Sequence, residues 1–231
     1  MLVAALFVAY KLARGITAGD AQVAMVHAYG VWHVERWLRL PDELNLQQAF
    51  LHWPHLIKAA NGYYAWVHFP ATTIFLVWLY RRDHAAYVHV RNVMVALTAS
   101  GLALHILLPL APPRMLGSLG FVDTGALYGQ SVYDSGAGAA ISNQFAALPS
   151  LHVGWALVVA YGLITQLDSP WRWLALLHPA VTTWVVVATA NHFWVDAIAA
   201  GALLALALAV VRPSQRPEVA GSVREARVLA G

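Results

Sequence analysis

The sequence predicts an all-α protein, a polytopic membrane helix bundle of about six transmembrane helices with amphipathic helices at the interface ahead of them. Three observations carry that prediction. Of 231 residues, 60% are hydrophobic and only 11% charged, where a soluble domain carries roughly 25% charged residues. The apolar residues are gathered into long segments separated by short polar or Pro-containing breaks. Arginines collect in alternate connections between those segments, as they do in loops retained on the cytoplasmic side.

The same composition excludes several classes. A net charge of +3 is too small in a membrane protein to argue for nucleic acid, and the basic residues read as topology signals. With no cysteine there is no disulfide framework and no thiolate chemistry. Eleven histidines are many for so apolar a chain, and several fall at membrane depth. The start, MLVAALFVAY, lacks the basic region and small-residue site of a cleavable signal.

Taken in order, Met1 to Tyr10 is apolar but short of the roughly 20 residues a spanning helix needs, so it reads as an incomplete first span. Ala18 to Leu40 mixes Val23, Val26, Tyr29, Trp32 and Trp37 with Gln22, His27, His33 and Arg36. That pattern predicts an amphipathic helix lying in the interface. Pro41 breaks it, and Asp42 to Phe50 predicts a second short surface helix. Residues 18–52 thus form an interfacial pair, and neither helix carries a motif that points to chemistry. The second span runs from about Ile57 to Tyr80, with Pro70 as a kink. The third covers about Asn92 to Leu110, the fourth Leu151 to Leu167, the fifth Trp173 to Ala190 and the sixth Phe193 to Val211. Residues 1–212 form one transmembrane domain, and 213–231 a polar cytoplasmic tail expected to be disordered. The stretch 111–148, rich in Gly, Ala and Ser, is long enough to be a functional lid or binding loop rather than a plain connector.

Counting crossings puts Arg114, at the exit of the third span, on the same face as His152 and His192. Arg81, Arg82, Arg91, Arg172, Arg212, Arg216, Arg224 and Arg227 fall on the other. Basic loops stay cytoplasmic, so the histidine face is expected to be extracytoplasmic in a multi-pass cell-membrane protein. Lys11, Arg14, Arg36, Arg39 and Lys58 break that rule, and snorkelling from interfacial helices accommodates them.

The residues able to do chemistry lie in three places. Asn143 to His152 reads NQFAALPSLH. Pro is favoured just inside a helix start, which places Ser150 and His152 in the first turn of the fourth span, where free amides and the dipole suit an anion. Asn191 to Asp196 reads NHFWVD, with His192 and Asp196 at i and i+4, neighbours on a helix. A carboxylate there fixes the imidazole tautomer and leaves the other nitrogen nucleophilic; a purely structural His–Asp pair is the alternative. His152 suits a general acid, since an unperturbed histidine titrates at about 6.5, and is otherwise a polar helix end. Arg114, in Pro112–Pro113–Arg114, offers a planar fork for phosphate oxygens or a contact to lipid headgroups. Ser150 and Asn143 either donate to the same anion or cap the helix.

His68, His105 and His178 read as buried histidines paired with nearby carbonyls. His192, Asp196 and His152 number three potential ligands, so a zinc site competes with the phosphate site. A histidine-rich bundle that binds metal or haem without catalysis is therefore the alternative of another class. A small transporter using the His–Asp pair as a proton relay is a third, disfavoured because the polar groups gather at one face and not at the midplane.

PPR after one span, N-x-F-A-A-x-P-S-L-H opening the next and N-H-F-W-x-D opening a later one resemble the type 2 phosphatidic acid phosphatase superfamily. The chain is most similar to the branch of inositol phosphorylceramide synthase-like proteins. The resemblance runs from about Asn61 to Val211, including FVDTG in the long loop. It implies a lipid phosphatase or phosphotransferase in which His192 forms a phosphohistidine, oriented by Asp196, and His152 protonates the leaving group and later activates water or an alcohol. Arg114 and Ser150 would hold the phosphoryl oxygens. The implied partners are a lipid phosphate substrate and the surrounding membrane lipids, with no metal and no cofactor. Two cations of the widest family pattern are missing: Leu107 stands where a Lys is expected and Val186 where an Arg is. Lys58 is the candidate replacement.

Overall fold

The computed structural model describes residues 21–129 and 144–213. The expected first span, Asn143, Lys11, Arg14 and the basic tail lie outside the described residues. Every regular element among the described residues is helical.

The described residues open with two helices, α1 (Ala21–Trp37) and α2 (Glu43–Leu51). They occupy the positions expected for the interfacial pair. The first ends ahead of Pro41, the expected break: Arg39 takes a left-handed backbone, φ 56°, and the Leu40 amide folds back onto the Glu35 carbonyl at 3.0 Å. Asp42 caps the second by accepting from the amides of Leu44 and Asn45 at 2.9 and 3.2 Å. Trp37, Val26 and Val34 point outward from α1 while Ala24, Ala28 and Glu35 are buried.

A continuous rod follows: α3 (Pro54–Gly62), a π turn over Tyr63–Val67, and α4 (His68–Arg82). The expected kink at Pro70 is this π turn. Pro70 has no N–H for the carbonyl four residues back and its ring crowds that position, so the wider turn just before it takes up the mismatch. The chain doubles back at Asp83, whose side chain accepts from Ala86 N and caps α5 (His84–Leu107). The helix expected as the third span therefore begins eight residues earlier than Asn92, because a capping Asp outweighs the polar residues His84, His89 and Arg91 that blurred its start in sequence.

The stretch between α5 and the next rod is not a plain connector. It makes two 3₁₀ turns, Pro113–Met115 and Gly117–Leu119, and a short helix α6 (Thr124–Tyr128). Leu110, Leu116 and Phe121 are buried against Ala24, Ala28, Ala147, Ala190 and Phe193. Side-chain amides hold it from the other side: Gln47 donates to Val122 O and accepts from Val122 N, and Asn61 donates to Thr124 O.

Three rods complete the bundle: α7 (Leu151–Gln166), α8 (Leu177–Ala188, entered through a 3₁₀ segment Pro170–Leu176) and α9 (Trp194–Val210). Helix α7 is central, packing against α4, α5, α8 and α9. Its glycines allow this: Leu97 lies against Gly154 and the Phe75 ring against Gly162, where a Cβ would have no room. Among the described residues one helix, α5, is long and apolar enough to cross a membrane by itself. Helices α7 and α9 are apolar but shorter, at 16 and 17 residues. Large apolar side chains face outward around the rods, among them Trp66, Ile74, Leu107, Ile198 and Val210.

The two ends of the bundle differ. At one, Arg82 donates to the carbonyl of Gln166 at 3.0 Å and Arg172 to that of Leu167 at 3.4 Å, closing the last turn of α7. At the other, the start of α7, the α8–α9 corner, the loop after α5 and both N-terminal helices meet.

Candidate active site

The α8–α9 corner is built by a sharp helix ending. Ala190 takes a left-handed backbone, φ 55°, a conformation L-residues adopt at a cost of about 1–2 kcal/mol. The amides of Asn191 and His192 then fold back onto the carbonyl of Val186 at 2.8 and 3.0 Å, a Schellman-type closure. Val186, at the position of the missing family Arg, is fully buried and contributes its backbone to this turn. The turn exposes the Ala190 carbonyl, which accepts from Arg114 N at 2.8 Å, tying the loop after α5 to the corner.

His192 is not on a helix. Helix α9 begins at Trp194, with Phe193 as its cap. The expected His192–Asp196 contact is nevertheless made, by a different route. Asp196, in the first turn, reaches back to accept from Phe193 N at 2.9 Å and lies 3.1 Å from His192 Nδ1 with the same oxygen. His192 Nδ1 is also 2.9 Å from the carbonyl oxygen of Ala147. A carbonyl can only accept, so Nδ1 carries the hydrogen and Nε2 of the neutral ring keeps its lone pair. Both His192 and Asp196 are buried.

The start of α7 completes the arrangement. Pro149 lies before the helix, after a cis Leu148–Pro149 bond, and not just inside it. Ser150 is the cap, its Oγ accepting from Val153 N at 3.4 Å, and its own amide donates to the Asp196 carbonyl at 3.1 Å. Of the two roles open to Ser150, capping is thus the one observed; the side chain is fully buried. His152 sits in the first turn as expected. Its ring centroid is 6.3 Å from that of His192, at 56°. Tyr64, from the π turn, stacks on His152 at 4.3 Å, and His68 lies 4.7 Å away.

Arg114 is buried, and its planar group is held at two points: NH1 donates to Asn191 Oδ1 at 3.0 Å and Nε pairs with Asp123 Oδ2 at 3.2 Å. Asn191 is itself oriented, donating to Thr189 Oγ1 at 2.8 Å. The Arg114 guanidinium therefore shares a corner with His192, as crossing arithmetic predicts. Lys58 does not replace the absent cations by any contact to these groups. It stands on the exposed side of α3, whose inward side carries Ile57, Ala60 and Asn61. Leu107, at the position of the missing Lys, also faces outward, 72% exposed.

Among the other histidines, His105 pairs with a carbonyl as expected, Nε2 to Pro149 O at 3.0 Å. His178 instead meets the Tyr63 hydroxyl at 2.9 Å, and His68 Nδ1 is buried without a hydrogen bond. Among the described residues no three His, Cys, Asp or Glu side chains are grouped so as to hold a metal ion.

Sequence reasoning passed over Asn191 and Asp123 as site residues. The first directly precedes His192 and the second lies in FVDTG, so both were in view without a role. The Ala147 carbonyl, a backbone acceptor from a distant segment, left no signal. No curated protein and no solved structure matches this chain. The family model of the PAP2 superfamily matches residues 30–210, from α1 through the last turn of α9 and including every site residue just described, and the chain belongs to that superfamily.

Proposed function

We propose that this protein is a multi-pass membrane enzyme that hydrolyses or transfers the phosphoryl group or phospho-headgroup of a lipid phosphate through a phosphohistidine on His192. PAP2 superfamily members are typically phosphoric ester hydrolases. The observation that carries the finer reading is the tautomer of His192: with Nδ1 committed to Ala147 O and Asp196, Nε2 is a neutral lone pair. A second imidazole, His152, stands 6.3 Å away between centroids, a spacing at which one phosphoryl group can touch both rings.

In the first step Nε2 attacks phosphorus, an N–P bond forms and the ester P–O bond breaks. His152, protonated, gives its proton to the departing oxygen. In the second, water or an alcohol gives its proton to His152 and attacks phosphorus, and the N–P bond breaks to return neutral His192. Asp196 stabilises the charge His192 carries in between. Arg114 faces the phosphoryl oxygens, its fork pre-oriented by Asn191 and Asp123, and such fixed donors supply most of the stabilisation in phosphoryl transfer. The cycle as written uses no metal or cofactor. Transfer to an alcohol is the variant expected of the inositol phosphorylceramide synthase-like branch.

Outward-facing apolar side chains and the length of α5 support the membrane assignment. Arg81, Arg82, Arg91, Arg172 and Arg212 flank the end of the bundle opposite His192, which by the positive-inside rule favours an extracytoplasmic site. The decisive experiment follows label from a phosphate-labelled lipid incubated with purified protein. Label in free phosphate identifies a phosphatase, and label in a new phospholipid a transferase. Label trapped on the protein and absent from His192→Ala supports the intermediate; undiminished turnover by His192→Ala refutes it.

A further inference from the structure

Helices α1 and α2 carry two carboxyls with no place in that mechanism. Glu35 and Glu43 are both fully buried. Glu35 Oε1 accepts from the amide of Val195 at 2.7 Å, one of the first-turn donors of α9 that has no partner within its own helix. Glu43 Oε2 accepts from Arg36 at 2.7 Å, and Arg36 also pairs with Asp42 at 3.2 Å. That leaves Glu35 Oε2 and Glu43 Oε1, both buried and neither with a hydrogen-bond donor. These two oxygens belong to side chains within hydrogen-bonding reach of each other.

Two ionised carboxylates so placed repel and cannot bond, because each is an acceptor only. A single proton between them turns one orphan acceptor into a donor and satisfies both. With one proton, the pair carries one negative charge, which Arg36 faces.

We propose that Glu35 and Glu43 share one proton and act as a positioning pair, clamping the two N-terminal helices onto the first turn of α9 and so holding Asp196 against His192. The clamp reaches the site in one step. Val195, whose amide Glu35 holds, precedes Asp196, whose carboxyl orients the His192 ring. The Trp194 indole adds a second tie, donating to Pro41 O at 2.9 Å. The role assigned to His192 rests on the function proposed above, whereas the shared proton does not.

The charged groups acting on Glu35 are Glu43 from α2 and Asp196 from α9; Arg36 faces the pair from the Glu43 side, where it also meets Asp42. Burial first, then the hydrogen bond and negative charge of Glu43, push Glu35 from an ordinary 4.5 up to about 9. The sign is therefore that of a raised acid. The clamp is intact at neutral pH and opens as pH rises through about 9, where a second buried negative charge appears.

The test uses the full-length protein, purified in detergent micelles, with two readouts. Infrared difference spectra between neutral and strongly alkaline pH should show a protonated-carboxyl C=O band in the wild type. That band should be missing from Glu35→Gln and from Glu43→Gln, because an amide N–H takes the place of the shared proton. Phosphate release from phosphatidic acid should fall in the wild type above about pH 9. In Glu35→Gln, kcat at neutral pH should be kept and that alkaline fall lost. Glu35→Ala should lower kcat about tenfold with KM unchanged, the worth of about one net hydrogen bond. A carboxyl band undiminished in both Gln variants overturns the pair, as does an alkaline fall in Glu35→Gln identical to wild type. A wild type that shows the band but moves no label from a phosphate-labelled lipid, either to water or to an alcohol, supports the shared proton and refutes the enzymatic reading.

Discussion

The ring of His192 is fixed by a backbone carbonyl as much as by a carboxylate: Nδ1 is 2.9 Å from Ala147 O and 3.1 Å from Asp196 Oδ2. Where an Asp alone controls the tautomer of a catalytic His, replacing it by Asn costs ~10⁴ in kcat. Here the Ala147 carbonyl still demands a hydrogen on Nδ1. Asp196→Asn should therefore lose charge stabilisation but not the tautomer, lowering kcat by about tenfold to a hundredfold. His192→Ala should fall to background. Phosphate release by the two variants, side by side, measures the difference.

His152 touches His192 only as a neighbouring ring, with its face covered by Tyr64. As a general acid it matters in proportion to the basicity of the leaving group, with general catalysis worth about 10²–10⁴. His152→Ala should thus lose most activity on an alkyl lipid phosphate, whose alkoxide needs a proton. On an aryl phosphate with an acidic phenol it should keep a measurable fraction. Equal losses on both substrates would show that His152 serves binding or structure instead.

How far the sequence revealed these features depended on whether a signal was local. The pairing of His192 with Asp196 was legible from spacing, although the contact is made across a helix cap and not along a helix. A cap brings the residue before it to the first-turn side chain nearly as well as a helical turn does. The gathering of Arg114, His152 and His192 was legible from crossings alone. Glu35 and Glu43 were not, because a carboxylate on an amphipathic helix reads as a solvated face until a second helix covers it. Lys58 suggests itself as a replacement cation by its place near the start of the second span, but a position along the chain does not show which side of a helix a residue takes; it stands on the exposed side of α3. At Val186, where the family pattern has an Arg, the buried residue serves the corner through its backbone, its carbonyl accepting from the amides of Asn191 and His192.

Arg114 offers a sharper case for shape over charge. Its Nε and NH1 are spoken for by Asp123 and Asn191, which sets the plane of the whole group. A lysine keeps the positive charge but has one donor point and cannot span both partners. Arg114→Lys should therefore reduce kcat/KM by about tenfold to a hundredfold, while Asn191→Ala and Asp123→Ala, which only loosen the plane, should each cost less. Steady-state kinetics on the lipid phosphate rank the three variants.

The glycines of the bundle give a prediction about stability that is independent of catalysis. A Cβ on Gly162 would collide with the Phe75 ring, which is 5% exposed and has no open side to move into. Gly201, on α9, has nothing within 4 Å of where its Cβ would be. Gly162→Ala should destabilise the bundle by about 1–3 kcal/mol, the usual range for overpacking. Gly201→Ala adds no clash and removes the helix penalty of glycine, so it should stabilise by up to about 1 kcal/mol. Thermal unfolding in detergent should therefore move in opposite directions for the same chemical change. If both variants lower the midpoint, then the face of α9 at Gly201 is packed against something, and the open face seen in the monomer is an interface.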